Sequence, residues 1–415
     1  LQVLLWAGLF RLALLPAGLP PETWTQDLAD DLSGREIAYR SFLLYDNDVW
    51  RYFWDGHVFG WGLDPYATSP AELEALADDE DPRASDLFAE PLWYDIYDRV
   101  SYGTYRTVYP PAVQWLFRFH HAASPGSVFA WKLLLVLFDL ATCWLLASIV
   151  RRRGAAPELV AIYAWNPLVM KEIAGSGHLD AVMIFWLVLS VFALTYGWRR
   201  AALATYGLAI LAKLTPLLLI GLYLRRTRPR DWWILPGIFG LGFAPFVASL
   251  PTLLDSLAIF SREWVFNPGP WLLLQQFGQA VLGPGAGRAV ASLTTLLIAA
   301  TLVAWTSARD DGSPEHLATG SFRILGGYLL FSAAAMPWYL LWVLPMAVLR
   351  SAGDPGRRQL PPEVLAWLVW TASSLLSYLI YIDQTEQGWW LWLEYLSVLA
   401  AFGFGLWRER RIRLS

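Results

Sequence analysis

Residues 127–153 read SVFAWKLLLVLFDLATCWLLASIVRRR, and this stretch decides the fold. Residues 127–150 are apolar over a length that crosses about 30 Å of hydrocarbon as a helix. The Arg151-Arg152-Arg153 stop assigns its end to the cytoplasm under the positive-inside rule. Comparable runs lie near 1–19, 156–174, 180–198, 232–250, 286–307, 321–337, 338–350, 363–382 and 389–407. Arginine clusters at Arg199-Arg200, Arg225 to Arg230, Arg350 to Arg358 and Arg408 to Arg413 mark the same side. The expectation is an all-α polytopic membrane protein with about ten full transmembrane helices.

Composition agrees. The 415 residues are 56% hydrophobic and only 16% charged, which excludes a soluble enzyme, a disordered chain and a nucleic-acid binder. Twenty-five Trp suit interfacial belts, and 31 Gly with 26 Pro suit interrupted helices. The single Cys143 leaves no internal disulfide and no cysteine-based zinc site. Three Lys beside 28 Arg suggest a GC-rich prokaryote, and so a cytoplasmic membrane.

The chain divides into a first transmembrane helix (1–19), an extracytoplasmic loop (20–107), a core bundle with broken helices (108–350), and a C-terminal transmembrane pair with a basic tail (351–415). The first run is read as a retained helix interrupted by Arg11 rather than as a cleaved leader. The loop holds 19 of the 35 acidic residues, against six Arg and no Lys. It is too long for a simple connection, and its amphipathic stretches predict short helices lying over the bundle. Asp78-Asp79-Glu80-Asp81, within 70–90, reads as a solvated insertion.

Two segments resist simple spanning. Residues 201–224 lie between arginine clusters assigned to one side and are interrupted by Lys213 and Pro216, which predicts a helical hairpin entering and leaving from the cytoplasm. Residues 108–121 are too short to cross and are expected to dip in from the other face. Broken helices at membrane depth persist only where protein or a watery cavity covers them, so both should face a site.

Within the loop, residues 45–66 read YDNDVWRYFWDGHVFGWGLDPY. As a helix over 45–59, at about 100° per residue, this places Asp48, Arg51, Tyr52 and Asp55 on one face and turns Asp46 away. The same spacing also describes a solvated polar face on which Arg51 pairs with both neighbouring carboxylates. Lys213 is an intramembrane lysine and hence a functional candidate. From a cytoplasmic entry, a half-helix of about 12 residues rises about 18 Å and the lysine stem adds about 6 Å, so Lys213 could approach an outer-leaflet phosphate. Trp264, Asn267 and Pro268 fall in a loop on the outer side, placed to close over whatever the bundle binds there.

Residues 45–66 resemble the first extracytoplasmic loop of GT-C superfamily glycosyltransferases, in particular bacterial polyprenyl-phosphate-dependent mannosyltransferase-like proteins and, more distantly, the first mannosyltransferase of GPI-anchor synthesis. Similar segments follow in order: Tyr109-Pro110-Pro111, Asn166-Pro167-Leu168, Ser176-Gly177-His178-Leu179-Asp180, Lys213-Leu214-Thr215-Pro216, and Pro337-Trp338-Tyr339 with Trp342 and Pro345. The ordered set, over about residues 40–350, carries the resemblance. His57 departs from it, standing where Arg is common, and so does the length of the 70–90 insertion.

The resemblance implies a GT-C-like bundle and an inverting hexosyltransferase. It would move a sugar, by default mannose, from a polyprenyl-phosphate carrier to an acceptor hydroxyl at the extracytoplasmic face. The chemistry needs one carboxylate base and a cationic clamp on the departing phosphate. Asp48 is the expected base, with Asp46 the alternative because Asp46-Asn47-Asp48 also reads as a DxD triplet. Lys213, Arg51, Arg106 and Arg262 are candidates for the phosphate, and Tyr52, Asp55, Tyr109, His178, Asp180, Trp338 and Tyr339 for the sugar or acceptor. A donor with one phosphate needs no metal, so no metal or other cofactor is expected. Partners are membrane lipid, the lipid-linked donor, and a glycolipid, polysaccharide or protein acceptor; nucleic acid is not among them. The competing reading is a transporter or flippase of a polyprenyl-linked or other lipid, which would also contain broken helices and buried charge.

Overall fold

The computed structural model describes residues 2–16, 28–30, 32, 47–353, 359–380 and 388–414. Among them the chain is helical and turn, apart from one isolated pairing of Phe266 with Ala334. Four helices are long and apolar enough to cross a membrane: Val128–Arg152, Pro229–Glu263, Gly287–Ala308 and Trp389–Arg411. Leu241, Leu296 and Leu399 lie bare on the outer surfaces of the last three. An apolar exterior of this kind is stable only against hydrocarbon, and the protein is a membrane protein.

The other predicted runs form shorter or interrupted helices, so about ten full spans are not found among the described residues. Asp180–Thr195 is one such shorter helix. The run at 156–174 breaks at Asn166-Pro167 and ends in a π-helical turn, Lys171–Gly175. The run at 338–350 is a correction to the reading of one continuous span. It consists of a 3₁₀ turn, Pro337–Trp342, and a short helix, Leu344–Ser351. Prolines begin both pieces, and their side chains are nearly all buried, so this sequence is apolar because protein surrounds it. Conversely, 232–250 extends into one run from Pro229 to Glu263, which tightens to 3₁₀ at Ala244–Ser249 around Pro245.

Arg11, which interrupts the first apolar run, is wholly buried. Its guanidinium pairs with Asp139 of the Val128–Arg152 helix and donates to the Ala164 carbonyl at 2.8 Å. Tyr163 donates to the other Asp139 oxygen at 2.7 Å. Removing one member strands a buried charge, so Asp139→Asn should lower stability by about 3–5 kcal/mol, read as thermal unfolding in detergent.

In the loop, the Asp48–Gly60 helix packs against the Pro111–Ala123 helix. Gly56 permits this close approach, since a Cβ there would stand 2.5 Å from the Phe117 carbonyl oxygen. Tyr52 stacks on Phe117 with ring centroids 5.0 Å apart. Short helices follow at Pro70–Asp78, Pro82–Leu87 and Pro91–Asp98, each with proline in its first turn. Ser69 and Glu72 cap the first of them reciprocally. Burial opposes it, but the Ser69 backbone N–H and Arg106 together hold the Glu72 carboxyl below its usual range.

The acidic run at 79–81 is exposed as expected, but Leu73 and Leu87 of the same insertion are buried. His57 explains part of this. Its ring stacks on Trp93 at 3.8 Å, and Nε2 lies 3.0 Å from the Leu87 carbonyl oxygen. Burial lowers the His57 pKa to about 3, so the ring is neutral near pH 7 and donates that hydrogen bond. Because the folded value is depressed, this contribution to stability is present above the ordinary histidine range and is lost as pH falls through it.

Candidate functional site

A cavity of about 1500 Å³ opens where the loop meets the broken helices. Asp48, Arg51 and Tyr52 enter it from the first turns of the Asp48–Gly60 helix, and Tyr105, Arg106 and Tyr109 from the connection that follows the short helices. Asp180, Lys213, Trp338, Tyr339 and Trp342 form the opposite wall.

Lys213 stands at a helix break. The Arg199–Ala212 helix stops because Lys213 takes an extended backbone (φ −159°, ψ 134°) and Pro216 cannot donate to a continuing ladder. Its Nζ donates to Asp180 Oδ1 at 2.7 Å and lies 4.2 and 4.7 Å from the ring centroids of Tyr339 and Trp342. Trp342 Nε1 donates to the same Asp180 oxygen at 2.5 Å. The amine is thus held by one buried carboxylate and two aromatic faces, an arrangement that stabilises a cation out of water.

Asp48 begins its helix, and its side chain is 37% exposed. Its negative charge acts on both Lys213 and Tyr109. Burial first, and the Asp48 charge second, push the Tyr109 hydroxyl well above its ordinary pKa, so it remains a donor.

Behind Asp48, His178 Nδ1 lies 4.0 Å from Asp48 Oδ2, and His178 Nε2 lies 3.4 Å from Glu172 Oε2. Gly177, at φ 76°, makes the turn that presents His178. A Cβ on Gly177 would meet Val49 at 3.1 Å, and Trp131 Nε1 fixes the Gly177 carbonyl at 2.9 Å. The imidazole stacks on Trp338 with centroids 4.0 Å apart. Glu172 is fully buried, accepts from the Tyr378 hydroxyl at 2.7 Å and pairs with Lys171 at 3.1 Å. The π turn at Lys171–Gly175 brings Glu172 beneath His178.

The cavity therefore gathers Asp48, Arg51, Tyr52, Arg106, Tyr109, Asp180, Lys213, Trp338 and Tyr339, with His178 against Asp48. Asp46 lies outside the described residues. Asp55 shares the predicted helix face but is not in the cavity wall. Seven residues past Asp48, it is carried about 10 Å along the helix, where it is buried and accepts from Arg51 and Gln114 at 2.8 and 2.9 Å. It braces Arg51, whose other arm donates to the Tyr105 carbonyl at 2.9 Å. Arg106 lies at the rim, paired with Glu72 at 2.9 Å. Arg262 is outside the cavity wall, and its Nε donates to the Ala258 carbonyl at 3.2 Å.

Trp264 lines the cavity. Asn267 instead turns inward at φ 52° and donates to the buried Glu394 at 2.8 Å, tying the loop to the last helix. Trp342 and Glu172 were not selected as site residues from sequence. Glu172 could have been, as an acidic residue in an otherwise apolar run. Among the described residues, Asp310, Asp311 and His316 bring ligand atoms within 4.8 Å of one another; Arg226 holds both Asp310 oxygens at 2.6 and 2.8 Å, and none of the three lines the cavity.

Residues 41–225, which carry Asp48, His178, Asp180 and Lys213, match the family described as alpha-(1->6)-mannopyranosyltransferase, N-terminal domain. Alpha-(1->6)-mannopyranosyltransferase A of Mycobacterium tuberculosis (strain ATCC 25618 / H37Rv) is 24% identical over 395 residues, covering 83% of this chain and 70% of that protein. No solved structure matches the chain. The family match spans the residues that carry Asp48 and Lys213, and the chain is a membrane protein similar to these mannosyltransferases.

Proposed function

We propose that the protein is an inverting mannosyltransferase that takes its sugar from a polyprenyl-phosphate carrier and delivers it to an acceptor hydroxyl at the extracytoplasmic face of a prokaryotic cytoplasmic membrane. The observation that carries this reading is that Asp48, a partly exposed carboxylate, and Lys213, a sheltered cation, line one cavity large enough for two substrates.

Asp48 accepts the acceptor hydroxyl proton as the oxygen attacks the anomeric carbon. The bond from that carbon to the donor phosphate breaks, and its electron pair leaves with the phosphate. Lys213 has three N–H donors and gives one to Asp180, so it can meet the phosphate oxygens without abandoning its own partner. Arg51, entering the same cavity beside Asp48, is a second cation. The leaving group is already anionic, so no general acid is required, and one base suffices where most glycosidases need two carboxyls. Tyr339, Trp338 and Tyr109 offer aromatic faces and a hydroxyl donor to the sugar. No metal is invoked, because Lys213 supplies the positive charge.

The reading is tested by supplying purified protein in lipid with polyprenyl-phosphate mannose and a membrane glycolipid extract, then measuring released polyprenyl phosphate and the anomeric configuration of the product. Release with inverted configuration is the expected result. Retention of configuration would replace the single displacement, and no release from any of several sugar-loaded carriers would shift the assignment to a lipid transporter.

A further inference from the structure

We infer that Glu172 and His178 form a proton-handling pair behind Asp48, with His178 restoring the base after each transfer and Glu172 as the positioning residue that orients and charges it. The inference rests on the proposed role of Asp48.

The geometry is a short line of three groups. Asp48 faces the cavity, His178 is 1% exposed behind it, and Glu172 is wholly buried behind that. His178 presents one ring nitrogen to each carboxylate, at 4.0 and 3.4 Å. Closing the longer gap to hydrogen-bond length falls to the partly exposed Asp48 side chain, because stacking on Trp338 and the Gly177 turn hold the imidazole.

A buried carboxylate placed at the far side of an imidazole sets which nitrogen carries the proton and stabilises the charged ring. Glu172 is wholly buried and absent from the cavity wall. The structure nonetheless surrounds it with Tyr378, Lys171 and His178, an expensive arrangement for a group without a task.

The step balances as follows. The acceptor proton arrives on Asp48 as the new glycosidic bond forms and the phosphate leaves. It then passes to His178 Nδ1, giving an imidazolium between two carboxylates, and Asp48 is again unprotonated. Loss of a proton from that imidazolium, through Asp48 to cavity water once product has gone, returns the resting state. Other charges near this line are Lys171 from the π turn and the Asp180–Lys213 pair across the cavity, while Tyr378 reaches it through Glu172. Lys171 offsets part of the Glu172 charge and so bounds the effect.

The test compares wild type, Glu172→Gln and His178→Gln in lipid with polyprenyl-phosphate mannose and the glycolipid extract, following kcat and donor KM across pH 5–9. Glu172→Gln keeps size and the Tyr378 contact but removes the charge, so the imidazolium is less favoured. Its kcat should fall about 10-fold or more with donor KM unchanged, and the acid limb of the profile should move to lower pH. In His178→Gln that limb should vanish. A purely structural role would lower the amount of folded protein without moving the limb. Should Glu172→Gln unfold, as judged by its melting curve, His178→Gln decides alone.

Wild-type rates and an unmoved limb in whichever variant folds would overturn the pair while leaving Asp48 as base. A rise in donor KM alone for His178→Gln would overturn it in favour of direct substrate contact. A wild type that releases no polyprenyl phosphate would overturn both this inference and the reading beneath it.

Discussion

Asp48→Asn is expected to cut kcat by about 100- to 10,000-fold, the usual worth of a positioned base. Asparagine matches the volume of aspartate and still accepts a hydrogen bond, so substrate should seat normally, but it cannot take a proton. Donor KM should therefore change by less than about threefold, the pattern of an interaction that matters only in the transition state. The measurement is steady-state release of polyprenyl phosphate from the purified variant in lipid. The partner variant Asp46→Asn should stay near wild type, since the helical periodicity read from the sequence turns that residue away from the face of Asp48. If Asp46→Asn were dead and Asp48→Asn active, the helix-face argument would fail and the base would be reassigned.

Lys213→Met should lower kcat/KM for the donor by about 100- to 1000-fold, the scale for losing one charged stabiliser of a developing anion in a sheltered site. The substitution also leaves the Asp180 charge buried without its cation, with Trp342 still donating to it, so stability should fall as well. These two effects separate in the double variant Asp180→Asn/Lys213→Met, which removes the stranded charge. It should recover much of the melting temperature and none of the activity. Recovery of transfer to within threefold of wild type in the double variant would show that Lys213 serves the fold and that the phosphate is held by Arg51.

The helical, membrane-embedded class and several of the residues that line the cavity were legible in the sequence, for reasons tied to particular residues. Apolar length announced Val128–Arg152, and Lys213 with Pro216 announced a break at membrane depth. Periodicity correctly grouped Asp48 with Arg51 and Tyr52. It could not say how far along the helix the cavity ends, which is why Asp55 was included. Hydropathy also could not separate burial in lipid from burial in protein. Leu344 and Leu241 are the same residue type by sequence, yet the first is enclosed by the bundle and the second lies bare. The His178 and Glu172 contact depends on a π turn, whose extra residue per turn has no sequence period to reveal it. His57, a departure from the family resemblance, is accounted for by a neutral stack on Trp93 that fastens the acidic insertion.

The pair formed by Arg11 and Asp139 has a consequence for the order of assembly. The two residues are 128 positions apart, so the cation leaves the ribosome well before its partner. At about 5–20 residues per second that interval is roughly 6–25 s. During it, the lone arginine, in the last turn of Gln2–Leu14, has no partner for its charge inside hydrocarbon and can only snorkel toward the interface. The first helix is therefore a late settler. The charge of Arg11 finds its partner only once Val128–Arg152 is made, and the meeting of the two charges seats both helices together.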